Sequence, residues 1–192
     1  MRIAIVPGNG ASDIFKSNWY GWLNAKLKAS GRFSEVACET MPDAHAARRS
    51  IWLPFMLTTL GCSSPETIVI GHSSGAVAAL RLLEDHKLAG CVVVSACHTD
   101  LGDAGEQAAG YYPPSGGKWQ WDKIRENVCG NILVLHSDND PFIPLEEAQH
   151  VADNLNVPLT VKAGRSHFFE PGEDLFEACL AVADAAEARA SS

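Results

Sequence analysis

The sequence predicts a doubly wound α/β fold: an open, parallel six-stranded sheet in the order 2-1-3-4-5-6, with helices on both faces and no large lid domain. Two observations carry this expectation. Short β-branched runs alternate along the chain with longer amphipathic or small-residue segments. The runs Thr67-Ile68-Val69-Ile70 and Cys91-Val92-Val93-Val94 are also apolar at successive positions, as strands covered on both faces must be. Length and composition agree, since 192 residues with 46% hydrophobic and 20% charged content fit one compact domain over residues 1–192 and exclude disordered, collagen-like and coiled-coil chains.

The first strand is expected at Ile3 to Val6, too short to be the apolar region of a signal peptide. A helix follows near Ser17 to Ser30, then a strand at Glu35 to Glu39 and a helix near His45 to Thr59, in which Pro54 should produce a break or kink. The third strand, Thr67 to Ile70, leads into a helix over Ser74 to His86 that opens on the small residues Ala76-Val77-Ala78-Ala79. After the fourth strand, Cys91 to Ser95, comes Thr99 to Lys118, rich in Gly, Asp, Tyr and Pro and long enough to be a functional loop. A helix near Trp121 to Asn127, a strand at Asn131 to His136, a helix over Leu145 to Leu155, a strand at Leu159 to Lys162 and a last helix over Glu173 to Arg189 complete the alternation.

Several function classes drop out on composition. No window approaches 18 uninterrupted apolar residues, so no membrane span is expected and the chain should stay in the cytoplasm where it is made. The six cysteines include no C-x-x-C pair, and a chain of this size builds a core without staples, so they read as reduced thiols and not as a zinc or disulfide scaffold. A net charge of -8 argues against nucleic acid or an anionic membrane as partner, because either needs a basic face. The charge does not choose among small-molecule roles; the expected partner is a small-molecule substrate, and no cofactor is expected.

Gly71-His72-Ser73-Ser74-Gly75 stands directly between the third strand and its helix. This is G-x-S-x-G in the context it needs, a turn tight enough to lift a serine hydroxyl above the sheet, with glycines where a Cβ would collide. A serine nucleophile requires a base, and the base a carboxylate that orients it. Both occur downstream in the order Ser, Asp, His, in the loops after the fifth and sixth strands. Asp140 and Asp138 compete as the acid; Asp140 is favoured because Pro141 and Pro144 stiffen its loop. His72, His98, His136 and His167 compete as the base, and only His167 follows the acid in a loop of its own. The oxyanion hole should combine the Ser74 N–H with a donor from Pro7-Gly8-Asn9-Gly10, either Asn9 or Gly10. That loop is not a dinucleotide fingerprint, since Asp13 stands where the third glycine belongs. Cys97 as a thiol nucleophile and metal ligation by His136, Asp138 and Asp140 are weaker readings, the first lacking an elbow and the second leaving Ser73 without a purpose. Tyr111, Tyr112, Trp119, Phe142 and Phe168 are the candidate substrate-binding aromatics.

Val6-Pro7-Gly8-Asn9-Gly10, Trp19-Tyr20-Gly21-Trp22, Trp52-Leu53-Pro54-Phe55-Met56, Gly71-His72-Ser73-Ser74-Gly75-Ala76, Trp119-Gln120-Trp121 and Asp140-Pro141-Phe142 together resemble the small α/β-hydrolase-fold serine hydrolases typified by retinoblastoma-binding protein 9. The resemblance spans almost the whole chain and implies Ser73 as nucleophile, Asp140 as acid and His167 as base. The chain departs from the family pattern at three places. Ser166 replaces the glycine common before the catalytic histidine, and Pro113-Pro114-Ser115-Gly116-Gly117 lengthens a loop. Leu60-Gly61-Cys62-Ser63-Ser64 lacks the glutamate of an L-x-C-x-E segment, so no retinoblastoma-type pocket protein is implied as partner. The expected function is hydrolysis of small carboxylic esters or amides through an acyl-enzyme. The alternative is a weakly catalytic binding protein on the same scaffold.

Overall fold

The computed structural model describes residues 1–191. Its elements run β1 (Arg2–Val6), α1 (Tyr20–Ser30), β2 (Glu35–Ala37), α2 (Arg49–Thr58), β3 (Thr67–His72), α3 (Ser74–Leu83), β4 (Gly90–Val94), α4 (Ala104–Ala109), α5 (Trp121–Glu126), β5 (Ile132–Ser137), α6 (Leu145–Leu155), β6 (Leu159–Lys162) and α7 (Glu173–Ala190). The sheet has the order β2-β1-β3-β4-β5-β6, and every pairing is parallel. Both agree with the sequence reading.

Alternation along each strand divides the core into two layers, because successive side chains point to opposite faces. Ile3, Ile5, Ile68, Ile70, Val92 and Val94 pack with Leu23 and Leu27 of α1 and with Leu175 and Val182 of α7. Ala4, Val6, Val69, Cys91 and Val93 pack on the other face with Trp52 and Met56 of α2 and with α3. Every residue of α3 is buried, since the helix lies on β3 and β4 and is flanked by α2 and α5. This explains its run of alanines, because larger side chains on a helix enclosed on all sides would hold its neighbours apart.

Two expectations need correction. Pro54 does not break its helix: α2 starts at Arg49, later than expected, and continues through Pro54 to Thr58. The proline removes one N–H, and Ser50, whose carbonyl would have accepted that bond, is solvent-exposed and can turn to water. The segment from Thr99 to Lys118 is not simply a loop. Asp103 caps the short helix α4 by accepting from the N–H groups of Gly105 (2.8 Å) and Glu106 (2.9 Å), and Tyr111 and Tyr112 are buried in the core.

Arg81 of α3 holds this segment down. Buried, it donates from Nε to the carbonyl of Tyr111 (2.7 Å), from Nη2 to Gly117 (2.9 Å) and from Nη1 to Lys118 (3.3 Å). Nη1 also donates to Glu84 Oε1 at 2.6 Å, and the guanidinium lies 3.7 Å from the Trp119 ring centroid. The bonds to Tyr111 and Glu84 are buried and those to Gly117 and Lys118 partly so; removing the cation strands the Tyr111 carbonyl and leaves the buried Glu84 carboxylate only the Gln120 N–H (3.0 Å) and the more distant Arg49 (3.7 Å). Arg81→Met is therefore expected to cost about 3–5 kcal/mol, read as a lower urea midpoint; a loss below about 1 kcal/mol would show that the cluster contributes little.

Candidate active site

β3 ends at His72 and α3 starts at Ser74, so Ser73 alone makes the turn between strand and helix. Its φ of 55° and ψ of -122° lie where non-glycine residues are uncommon, a strained conformation held by its surroundings. Two glycines make it sterically possible. A Cβ on Gly75 would sit 2.4 Å from the carbonyl oxygens of both Val6 and Pro7, and one on Gly71 would sit 2.5 Å from the Gly75 carbonyl. The Ser73 N–H is tied to the Val94 carbonyl at 2.9 Å, which locks the turn to β4.

Asp140 lies in the loop after β5, its side chain buried. Its Oδ1 accepts from the N–H groups of Phe142 (3.0 Å) and Ile143 (3.1 Å), and Oδ2 lies 2.7 Å from His167 Nδ1. Burial works to raise the Asp140 pKa, but the hydrogen bond and charge of His167, together with the two N–H donors, outweigh it and hold the carboxyl at about 2. An ionised carboxylate only accepts, so the His167 proton sits on Nδ1 and Nε2 is left as the ring's free acceptor. Ser73 and His167 line one cavity, with no hydrogen bond from Oγ to Nε2; such bonds often tighten only with substrate present. Asp138 instead accepts from the Gly164 N–H at 2.8 Å and shapes the turn.

The His167 loop is strained on both sides of the histidine, with φ of 51° at Ser166 and 50° at Phe168. Ser166 stands where the resemblance implied a glycine, and its left-handed backbone gives the physical reason a glycine would suit there: serine bears the steric cost of that shape. Asn139 accepts from both Ser137 Oγ and the Ser166 N–H, each at 2.8 Å, and so ties the Asp140 and His167 loops together. Sequence reasoning passed over it. Phe168 is fully buried in the core and anchors the loop from beneath, with the Arg165 guanidinium 5.1 Å from its ring.

The remaining candidates are sorted by burial and by the bonds they already make. Gly10 is corrected as an oxyanion donor, because its N–H is committed to the Ala44 carbonyl at 2.7 Å. Asn9 and Ser74 both line the Ser73 cavity, and among the described residues their N–H groups have no acceptor. Tyr112 and Phe142 line this cavity, of about 500 Å³, together with Leu101, Glu106, Ile143 and Phe169, which sequence reasoning missed. Tyr111, Trp119 and Phe168 do not line it. Tyr111 and Phe168 are core residues, and Trp119 donates its Nε1–H to the His98 carbonyl at 2.9 Å under Arg81. His136 donates from Nε2 to the Ile143 carbonyl (3.0 Å), and His98 stacks on His150 with centroids 3.7 Å apart. Burial pushes the Cys97 thiol up to about 12, so it is no thiolate nucleophile. Among the described residues no group of three or more His, Cys, Asp or Glu is placed to hold a metal ion, and no helix is long and apolar enough to cross a membrane.

Comparison with known proteins gives a consistent result. The family model described as "Serine hydrolase" matches residues 3–173. The chain is 46% identical over 167 residues to serine hydrolase RBBP9 of Rattus norvegicus, covering 87% of each chain. It is 25% identical over 173 residues to the putative hydrolase YdeN of Bacillus subtilis, covering 88% of this chain and 86% of that one. In structure it is similar to the ydeN gene product of B. subtilis (TM-score 0.79, 21% identity, covering 94% of this chain and 97% of the other). It is also similar to Est1E from Butyrivibrio proteoclasticus (TM-score 0.65, 12% identity, covering 100% and 88%). At such identities these two structures speak for the α/β-hydrolase fold.

Two substitutions test this geometry. Asp140→Asn is expected to lower kcat by several orders of magnitude, since the amide permits the wrong imidazole tautomer, whereas Asp138→Asn should cost at most a few-fold; the reverse ranking in ester hydrolysis would identify the other aspartate as the acid. Ser166→Gly is expected to be neutral or to stabilise by up to about 1 kcal/mol in thermal unfolding, as the left-handed strain is relieved against glycine's extra entropy.

Proposed function

Because this chain belongs to the serine hydrolase family, we propose that it cleaves small carboxylic esters or amides through an acyl-enzyme, with Ser73 as nucleophile, His167 as general base and Asp140 as the carboxylate that orients it. The observation that carries this reading is the 2.7 Å contact between Asp140 and His167 Nδ1, which leaves Nε2 as the only acceptor on a ring that shares its cavity with a strained serine. Ser73 Oγ attacks the carbonyl carbon as His167 Nε2 takes its proton. The oxyanion develops beside the Ser74 and Asn9 N–H groups, at the N-terminus of α3. The tetrahedral intermediate collapses as Nε2–H protonates the leaving group, and water then repeats the sequence on the acyl-enzyme.

The cavity supports a preference for compact substrates. Its volume lies within the range of small-molecule sites. Phe142, 60% exposed, and Phe169, 41% exposed, stand at its rim with ring centroids 5.1 and 5.6 Å from the His167 ring. These faces suit a small aromatic or short aliphatic group. The Thr99 to Lys118 segment contributes wall residues and is clamped by Arg81, so it provides no lid domain to enclose a long chain.

A fluorophosphonate probe is expected to label the wild-type protein at Ser73, and Ser73→Ala should lose both labelling and turnover by at least three orders of magnitude while changing stability by under about 1 kcal/mol. An unlabelled wild-type protein would favour the reading of a binding protein on a hydrolase scaffold. Across p-nitrophenyl esters from acetate to palmitate, kcat/KM should fall beyond about eight carbons, without activation at lipid-water interfaces; a preference that climbs past that length would overturn the compact-site reading.

A further inference from the structure

Two sequence motifs, Trp19-Tyr20-Gly21-Trp22 and the histidine inside Gly71-His72-Ser73-Ser74-Gly75, are not used by the reaction scheme, yet their side chains meet. Tyr20, at the start of α1, and His72, at the end of β3, are both buried. The Tyr20 hydroxyl receives the Gly8 N–H at 2.9 Å and an Asn18 Nδ2–H at 3.1 Å, and it lies 2.7 Å from His72 Nδ1. His72 Nε2 lies 2.9 Å from the carbonyl oxygen of His167.

Only one assignment of protons satisfies this chain. The His167 carbonyl can only accept, so His72 Nε2 carries the proton. Two donors already occupy the Tyr20 oxygen lone pairs, so the Tyr20 proton points to His72 Nδ1, which accepts. The opposite tautomer would set Nε2 lone pair against carbonyl lone pair and give Tyr20 three donors. Every buried polar atom in the line is satisfied, and each bond has its direction fixed by the next.

We propose that Tyr20 and His72 are positioning residues: together they form a neutral brace that fixes the backbone of the catalytic histidine relative to the oxyanion loop. The inference rests on the roles of His167 and Asn9 in the proposed function. At one end the brace pins the His167 carbonyl, between the two left-handed residues Ser166 and Phe168, where an unpinned peptide would relax. At the other end it pins the Gly8 N–H, one residue before Asn9. Neither side chain needs to touch the reacting atoms. The groups facing the His72 ring are Tyr20 of α1, the His167 ring with centroids 4.9 Å apart, the Trp19 ring at 5.7 Å and, by charge, Asp140. Burial and then the charge of His167 lower the His72 pKa to about 3, against the weaker upward pull of its backbone bond and Asp140, so the brace stays neutral under working conditions.

Three variants and one spectroscopic measurement test this. Tyr20→Phe removes a single oxygen and should lower kcat about 10- to 100-fold with KM within about two-fold, the pattern of misplaced catalytic groups. His72→Leu should do the same, and the double variant should be no worse than His72→Leu alone, since both break one line. His72→Gln places an amide N–H where Nε2–H stood and should recover about ten-fold over His72→Leu. Nitrogen NMR of the wild-type protein should show His72 as the Nε2–H tautomer, unchanged from about pH 8 to 5. Because its folded-state pKa lies below the ordinary 6.5, the stability contributed by His72 is complete above that pH and is lost as the pH falls toward 3; His72→Gln should remove this part of the slope. Variants that lower the melting temperature yet keep kcat within two-fold, or an Nδ1–H tautomer, would overturn the brace. A wild-type protein that fails to react with fluorophosphonate would overturn the proposed roles of Ser73 and His167 and, with them, the positioning function.

Discussion

The close approach of the β3–α3 turn to β1 is the constraint on which the rest of this molecule depends. At Gly75 the backbone comes so near the carbonyls of Val6 and Pro7 that no Cβ fits between them. That contact lets α3 begin directly over the sheet, forces Ser73 into a left-handed conformation and brings the loop after β1 beside the serine. The strain cannot relax locally, because the Ser73 N–H is held by β4 and the helix behind it is buried on every side. Close packing of the central strands is thus what presents the hydroxyl.

The same logic extends to the histidine loop. Its strained residues, Ser166 and Phe168, are held by different forces: the first by a hydrogen bond to Asn139, the second by a phenyl ring sunk in the core. Asp140 then needs only two backbone donors and the imidazole to stay ionised despite its burial. Polar groups fix directions and apolar burial supplies the energy that keeps them fixed.

Much of this was legible in the sequence. Parallel, twice-covered strands announce themselves as unbroken apolar runs, and G-x-S-x-G between a strand and a small-residue helix marked the turn that carries Ser73. α4 escaped notice because six residues with little apolar stripe leave no period to read, although Asp103 followed by Glu106 is a capping pattern that marked its start. The aromatics were harder. Phe168 and Phe169 are neighbours in sequence and chemically identical, yet one is a core anchor and the other a rim residue. Which one points inward depends on a left-handed φ that no composition rule reveals. Gly10 and Asn9 differ in the same way, since a single bond to Ala44 separates them.

Arg81 has a consequence for how such enzymes diversify. The rim segment takes its order from a cation on a different element, the helix behind the serine, and from the Glu84 carboxylate one turn further on. A chimaera that transplants residues 99–118 into a related scaffold would therefore arrive without its anchor unless the recipient already carries this arginine and glutamate. Loop and helix form a single heritable unit, and new specificity in this architecture is more readily reached by exchanging side chains on an intact rim than by exchanging the rim itself.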